Sequence, residues 1–396
     1  MNYLITGAQF HNKGAQSLLF STMSEIYVRD ENATIFYLPL DWQDDYIGGR
    51  YNFNVVYDDE CHNDINDVWL QLRKIIKIKR DKVIYKKKLY YLSCIWDSID
   101  ILYDISGYQL SSKFSDEANQ RLLRYINTAI EHSIKTVLLP QSFGPFDYKT
   151  ENIKLRVKQT LKNVDLIFAR EYSGMKALLN SFSISDNVIQ SPDVVLQTKE
   201  EPKYVYIHEE IPKYIDLITK NNVGIIPNRQ TIIHGSHEQV IEIYKMIIDE
   251  LIKQNFNVYI FRHSDDLEIC KEIYNLYSGN KAVSLIENDM SCFEFGLFIK
   301  QFNFIVGSRY HAIVHAYKEH IPAVILGWSD KYVELAKRFS QAQYVFDITK
   351  ALDQNLIKKS IVGMADNWEK NSVIIEQCLK DICKENCFDI IQNRIM

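Results

Sequence analysis

The sequence predicts an α/β protein of two Rossmann-like domains facing each other across a cleft. Short apolar runs rich in Val, Ile, Tyr and Phe alternate with longer segments of helical period, the series occurs twice, and a charged stretch containing prolines separates the two series. Such alternation gives parallel strands covered by helices on both faces. At 396 residues, 46% of them apolar, the chain is long enough for two cores.

From the N-terminus, strands are expected at Asn2–Thr6, Thr34–Leu38, Asn54–Tyr57, Ile99–Ser106, Thr136–Gln141 and Val164–Ala169, with helical patterns after most of them. The second series runs Val223–Pro227, Phe256–Arg262, Ala282–Ile286, Phe302–Gly307, Ala323–Leu326 and Tyr344–Asp347. Between them, Ser191 to Asn222 holds Pro192, Pro202 and Pro212 with the run Lys199-Glu200-Glu201, which marks a connection between domains. The last fifty residues lack proline and β patterning and read as one or two terminal helices. The expected division is a first domain over 1–195, a linker over 196–222, a second domain over 223–350 and terminal helices over 351–396.

A formal net charge of -5 gives no basic field of the kind that would make nucleic acid the main partner. The chain begins in a strand-like segment and holds no apolar run long enough for a bilayer, so a cytosolic protein is expected. Its seven cysteines lack paired CxxC spacing and read as reduced thiols. One segment breaks the charge balance: over residues 73–91, nine lysines and arginines from Arg73 to Lys88 are interleaved with Ile, Val and Tyr. It is either a solvated helix face or a peripheral membrane surface for anionic lipid or a lipid-linked pyrophosphate.

Open α/β sheets bind ligands at the carboxyl ends of their strands, and four such places carry Gly, Pro or a cationic side chain. Gly7 to Gln16, with Asn12 and Gly14, follows the first strand and lets backbone N–H groups approach an anion at a helix start, or is an ordinary tight connection. Pro140 to Phe146, with Gln141 and Ser142, is a loop stiffened by two prolines, or simply a structural turn. Arg170 ends an apolar strand and is either paired with a carboxylate in the fold or aimed into the cleft. In Gly307-Ser308-Arg309-Tyr310-His311, a guanidinium suited to carboxylate or phosphate stands beside an imidazole able to move protons near neutral pH. His315 shares the His311 helix face, but no third metal ligand is apparent and HExxH is lacking. Arg262-His263 is a further cationic pair at a strand end, and spacing leaves its direction open.

In order, the stretches Gly7 to Gly14, Asp104-Ile105-Ser106-Gly107, Pro140 to Phe146, Ala169 to Ser173, Ser191-Pro192-Asp193, Gly307 to Ala312, and Pro322 followed by Lys331 resemble the motifs of the polysaccharide pyruvyl transferase family. The resemblance covers most of the chain, from Gly7 to about Lys331. It implies a GT-B-like fold and transfer of pyruvate from phosphoenolpyruvate, bound in the cleft, to a sugar diol as a ketal on a bacterial surface polysaccharide. Phosphoenolpyruvate is then a co-substrate, with no cofactor and no metal. The second domain would hold the donor, and the first a glycan acceptor, for which the basic segment suits a polyprenyl-pyrophosphate carrier.

By motif position, Arg170, Arg309 and His311 are the expected catalytic residues. Asp104, ahead of Asp193, is the acid expected to orient or deprotonate the acceptor, and either could equally cap a helix or turn. Asn12, Gly14, Gly107, Gln141, Ser142, Ser308 and Lys331 are the expected substrate-binding residues. Replacing Arg309 is expected to remove activity and spare the fold. Two departures bear on the acceptor side: Asn12-Lys13-Gly14-Ala15 stands where many members carry Asn-x-Gly-Asp, and Gly107-Tyr108-Gln109 where many carry several glycines. A nucleotide-sugar glycosyltransferase of the same architecture and a non-catalytic partner in a glycan assembly complex are the competing readings.

Overall fold

The computed structural model describes residues 1–40, 50–59, 90–199, 201–208, 212, 215–217, 219–384 and 386–396. All but the last two residues of the basic segment 73–91 therefore lie outside the described residues, as does Cys61.

Two parallel sheets organise the chain. The first contains β1 (Asn2–Thr6), β2 (Thr34–Leu38), β3 (Asn54–Tyr57), β4 (Tyr90–Tyr91), β5 (Ile101–Asp104), β6 (Lys135–Gln141), β7 (Leu166–Ala169) and β8 (Val188–Gln190), in the order β4-β3-β2-β1-β5-β6-β7-β8. The second contains β9 (Asn222–Ile226), β10 (Asn257–Phe261), β11 (Val283–Ile286), β12 (Phe304–Gly307), β13 (Ala323–Gly327) and β14 (Val345–Asp347), in the order β11-β10-β9-β12-β13-β14. The central strands are buried on both faces, which is why they read as unbroken apolar runs. The helices of eight or more residues are α1 (Lys13–Arg29), α2 (Asp116–Glu131), α3 (Glu151–Asn163), α4 (Tyr172–Phe182), α5 (His237–Lys253), α6 (Leu267–Asn275), α7 (Cys292–Ile299), α8 (Tyr310–Lys318), α9 (Asp330–Arg338), α10 (Gln354–Ile382) and α11 (Cys387–Ile395). Among the described residues, no helix is long and apolar enough to cross a membrane.

Helix α1 explains how the sheets are held relative to one another. It is buried along most of its length, including its start at Lys13 and Gly14, because it packs against both halves. Phe20 stacks on Phe293 of α7 at 5.4 Å between ring centres, and the Gln16 side chain accepts the Cys292 backbone N–H. One apolar cluster thus runs from the first sheet into the second.

The chain then returns to where it began. Helix α11 packs on the first sheet: Phe388 is buried against Tyr103 at 6.0 Å, and Arg29 pairs with Asp389 at 2.6 Å. Phe388→Ala removes a buried ring from this closure and is expected to cost roughly 3–5 kcal/mol, read as a lower denaturation midpoint in guanidinium; an unchanged midpoint would mean that the helix is not part of the core.

Candidate functional site

In both sheets strand order reverses beside a central pair: β1 lies between β2 and β5, and β9 between β10 and β12. Loops leaving the carboxyl ends of such strands diverge and leave a crevice for ligand. Here the two crevices meet in a cavity of ≈ 210 Å³. The first half lines it with Asn12, Ser106, Gly107, Tyr108 and Arg170, and the second with Asn228, His263, Arg309, Tyr310, His311, Trp328, Lys331 and Tyr332.

Arg170 follows β7 and is buried. Its Nε donates to Glu171 at 2.8 Å, Nη1 to Asp193 at 2.8 Å and Nη2 to Ser142 Oγ at 2.7 Å, while the guanidinium carbon lies 4.2 Å from the centre of the Tyr310 ring. Burial alone would lower its pKa, but the two carboxylates outweigh burial and keep it charged. Arg170 is thus both paired in the fold and at the cavity wall. Two of its five N–H groups remain for a ligand, but its net charge is already offset.

Arg309 is the residue before α8 and binds Asp266 through Nε and Nη2 at 2.6 and 2.7 Å. Asp266 has no solvent exposure. The expectation that Arg309 can be removed without harm to the fold is therefore corrected, because its loss strands a buried carboxylate, a change that costs about 3–5 kcal/mol.

His311 lies in the first turn of α8 with its ring against Gly14, where a Cβ would come within 2.3 Å of Nδ1. Gly14 therefore acts through what it lacks. His311 Nε2 has no hydrogen-bond partner among the described residues. It is 3.6 Å from Asp193, whose carboxylate Arg170 already claims. Burial, followed by the charge of Arg170, holds the imidazole well below its usual pKa, hence neutral at pH 7.

Lys331, at the start of α9, is the cavity-lining cation without a carboxylate partner among the described residues. Its ammonium sits 5.9, 5.5 and 5.5 Å from the ring centres of Tyr108, Tyr310 and Tyr332, a cage that stabilises a cation without neutralising it. Burial and then the nearby Arg170 bring its pKa down to about 8.

Four expected site residues lie behind the wall rather than in it. Asp104 has no exposure and accepts from Ser106 Oγ at 2.6 Å and Gln141 Nε2 at 2.8 Å. Ser142 Oγ bridges Glu171 and Arg170. The Ser308 hydroxyl meets Tyr244 OH at 2.5 Å. These side chains bind internal partners, although Gln141 Oε1 has none among the described residues, and the geometry makes Asp104, Gln141, Ser142 and Ser308 supports of the loops. Asn12 and Gly107 do line the cavity; Asn12 also caps α1 by accepting the Gly14 N–H at 3.0 Å. His315 is buried, with its ring centre 5.9 Å from that of His263, and no group of three His, Cys, Asp or Glu side chains able to hold a metal occurs among the described residues.

Asp266, the tyrosine cage and the cavity-facing position of His263 were not singled out in the sequence. The signal for Asp266 was its place three residues beyond the cationic pair Arg262-His263. A further contact joins the halves at the rim: the Glu334 carboxylate of α9 accepts the N–H groups of Tyr172 and Ser173 at 2.6 and 3.1 Å, capping α4.

A family model described as polysaccharide pyruvyl transferase matches residues 45–330. The chain belongs to the polysaccharide pyruvyl transferase family. A search of curated proteins finds no match. Among solved structures, this family member is similar to UDP-GlcNAc 2-epimerase from Neisseria meningitidis bound to UDP-GlcNAc, at 13% identity and TM-score 0.54 over 97% of this chain and 99% of that one. It is also similar to a putative UDP-N-acetylglucosamine 2-epimerase from Listeria monocytogenes, at 10% identity and TM-score 0.58 over 94% and 90%. A TarM mutant from S. aureus in complex with UDP matches at 9% identity and TM-score 0.53 over 99% and 98%. Likeness at these identities establishes the GT-B fold alone.

Two substitutions test this geometry. Gly14→Ala drives a methyl group into His311 and is expected to lower kcat/KM by about a hundredfold and to lower the melting temperature as well, since overpacking costs about 1–3 kcal/mol; unchanged kinetics would mean that the ring position is immaterial. Asp104 is pushed up to about 6 by burial, against the hydrogen bonds from Ser106 and Gln141. A carboxyl with a raised folded pKa favours folding below its unfolded value, and that contribution is lost as pH rises towards 6. Asp104→Asn, which can pair with a flipped Gln141 amide, is expected to gain roughly 2–3 kcal/mol relative to the wild type between pH 4 and 6. Parallel denaturation curves at the two pH values would contradict this.

Proposed function

We propose that this chain transfers pyruvate from phosphoenolpyruvate to two hydroxyls of one sugar, forming a cyclic ketal on a bacterial surface glycan precursor. The observation that carries the reading is Lys331, an ammonium without a carboxylate partner among the described residues, in a cavity shared with Arg309 and His311. A cavity of ≈ 210 Å³ falls below the ~300 Å³ at which pockets for drug-sized ligands begin. That supports a three-carbon donor over a nucleotide sugar.

In this reading Lys331 and Arg309 hold the donor's phosphate and carboxylate, and Arg170 adds directional N–H groups. The methylene carbon C3 gains a proton, the first hydroxyl oxygen bonds to C2, and the second displaces the phosphate from the same carbon. The two hydroxyl protons end, in sum, on C3 and on the departing phosphate. His311, neutral and unpartnered at Nε2, takes the proton of the attacking hydroxyl and returns it to C3. Fixed cations around the leaving phosphate lower the barrier because they need no reorganisation as charge develops. The acceptor diol approaches from the side of Ser106, Gly107 and Tyr108.

Calorimetric titration with phosphoenolpyruvate tests the reading without knowledge of the acceptor. Saturable binding to the wild type is expected, weakened roughly tenfold to a hundredfold in Lys331→Met, the range set by one charge-assisted hydrogen bond. Wild-type affinity should also fall as pH rises past about 8, where Lys331 loses its proton. Equal affinity in the variant would remove Lys331 as an anchor, and binding of a nucleoside diphosphate sugar with none of phosphoenolpyruvate would favour the glycosyltransferase reading.

A further inference from the structure

His263 enters none of these steps, yet it lines the same cavity. It stands two residues beyond β10, 2% exposed, with Nδ1 3.1 Å from Ser264 Oγ and its ring edge-on to Phe295 at 4.9 Å. Ser264 Oγ also accepts the Lys13 backbone N–H at 3.4 Å. His263 Nε2 is buried and has no hydrogen-bond partner among the described residues. A buried polar atom without a partner loses about 1–3 kcal/mol relative to a satisfied one, so a ligand that supplies the partner recovers that cost.

The charges around it indicate the ligand. From its own loop His263 meets Ser264, and Asp266, three residues on, is bound to Arg309; from α8 and the residue before it come Arg309, His311 and His315. Helix α7 offers the apolar Phe295, and α1 offers Lys13, whose ammonium pairs with Asp289 at 3.0 Å. With Arg170 offset by Glu171 and Asp193, and Arg309 by Asp266, among the described residues that line the cavity only Lys331 brings uncompensated positive charge to it. One ammonium cannot balance a carboxylate and a phosphate together. A base at the wall can make up the deficit by taking a proton, and His263 is a buried base there whose Nε2 has no hydrogen-bond partner among the described residues.

We propose that His263 binds a proton as the anionic donor enters and donates its Nε2–H to one of the donor's anionic oxygens. Nδ1–H then donates to Ser264 Oγ, so both imidazolium hydrogens are satisfied. Burial, with the positive charge of the neighbouring groups, keeps His263 neutral while the cavity holds no anion. Donor binding is therefore coupled to proton uptake, and affinity rises as pH falls. The inference rests on the donor reading above.

The test is titration with phosphoenolpyruvate at pH 7, where Lys331 is already mostly charged, in two buffers of different ionisation enthalpy, for the wild type and His263→Gln. Glutamine keeps an N–H donor but cannot take a proton. The wild type is expected to absorb at least about half a proton more per donor than the variant. Its Kd should tighten as pH falls from 8 to 7 by up to about tenfold beyond the roughly twofold that Lys331 contributes in both proteins, and only that smaller slope remains in the variant. His263→Asn serves if the glutamine variant does not fold. Saturable wild-type binding with no proton uptake, or with the uptake found in the variant, overturns the inference and leaves the donor reading standing. Failure of the wild type to bind phosphoenolpyruvate at all overturns the donor reading and the inference with it.

Discussion

The site depends on a buried guanidinium that must be neutralised where it lies. Arg170 leaves β7 buried, and three of its N–H groups are spent on Glu171, Asp193 and Ser142. Its flat face meets Tyr310 from the second half. A charge buried this way tolerates little displacement, because any group that drifts leaves another unpaired. The constraint fixes the end of β7, the turn at Asp193 and the start of α8 relative to one another. Everything that reaches the cavity from the second half is placed from α8 and its neighbours.

Close backbone approach is the second constraint. Gly14 lies at the start of α1 in the first half and His311 in the first turn of α8 in the second, and no side chain larger than hydrogen fits between them. Together with the Phe20–Phe293 stack and the Glu334 cap on α4, this contact joins the halves around the cavity. In the proposed reaction, catalysis by proximity requires that precision, since the residues proposed to hold donor and acceptor come from different sheets.

Much of the fold was legible in the sequence. The first three strands match residue for residue, and the other nine expected strands match within two residues at either end, because central parallel strands are apolar throughout and end at Gly, Pro or charge. Strands β4 and β8 were missed: one has two residues, the other three, and both are edge strands without full burial. The return of α11 to the first sheet was also hidden, since nothing in its helical period names the surface that it covers. At the site, the motifs located the cavity but not the division of labour within it. Partners such as Asp193 for Arg170 or Asp266 for Arg309 come from strand ends 23 and 43 positions away. Sequence alone therefore could not separate an arginine that carries free charge from one whose charge is offset, nor assign the free charge to Lys331.

The most direct test of the account is the crystal structure of the protein with phosphoenolpyruvate. The account predicts the donor in the cavity between the two sheets, one anionic group on Lys331 and C2 within reach of His311. A donor seated instead in the neighbouring ≈ 290 Å³ cavity beyond Tyr310, against Lys337 and Arg338, would contradict it.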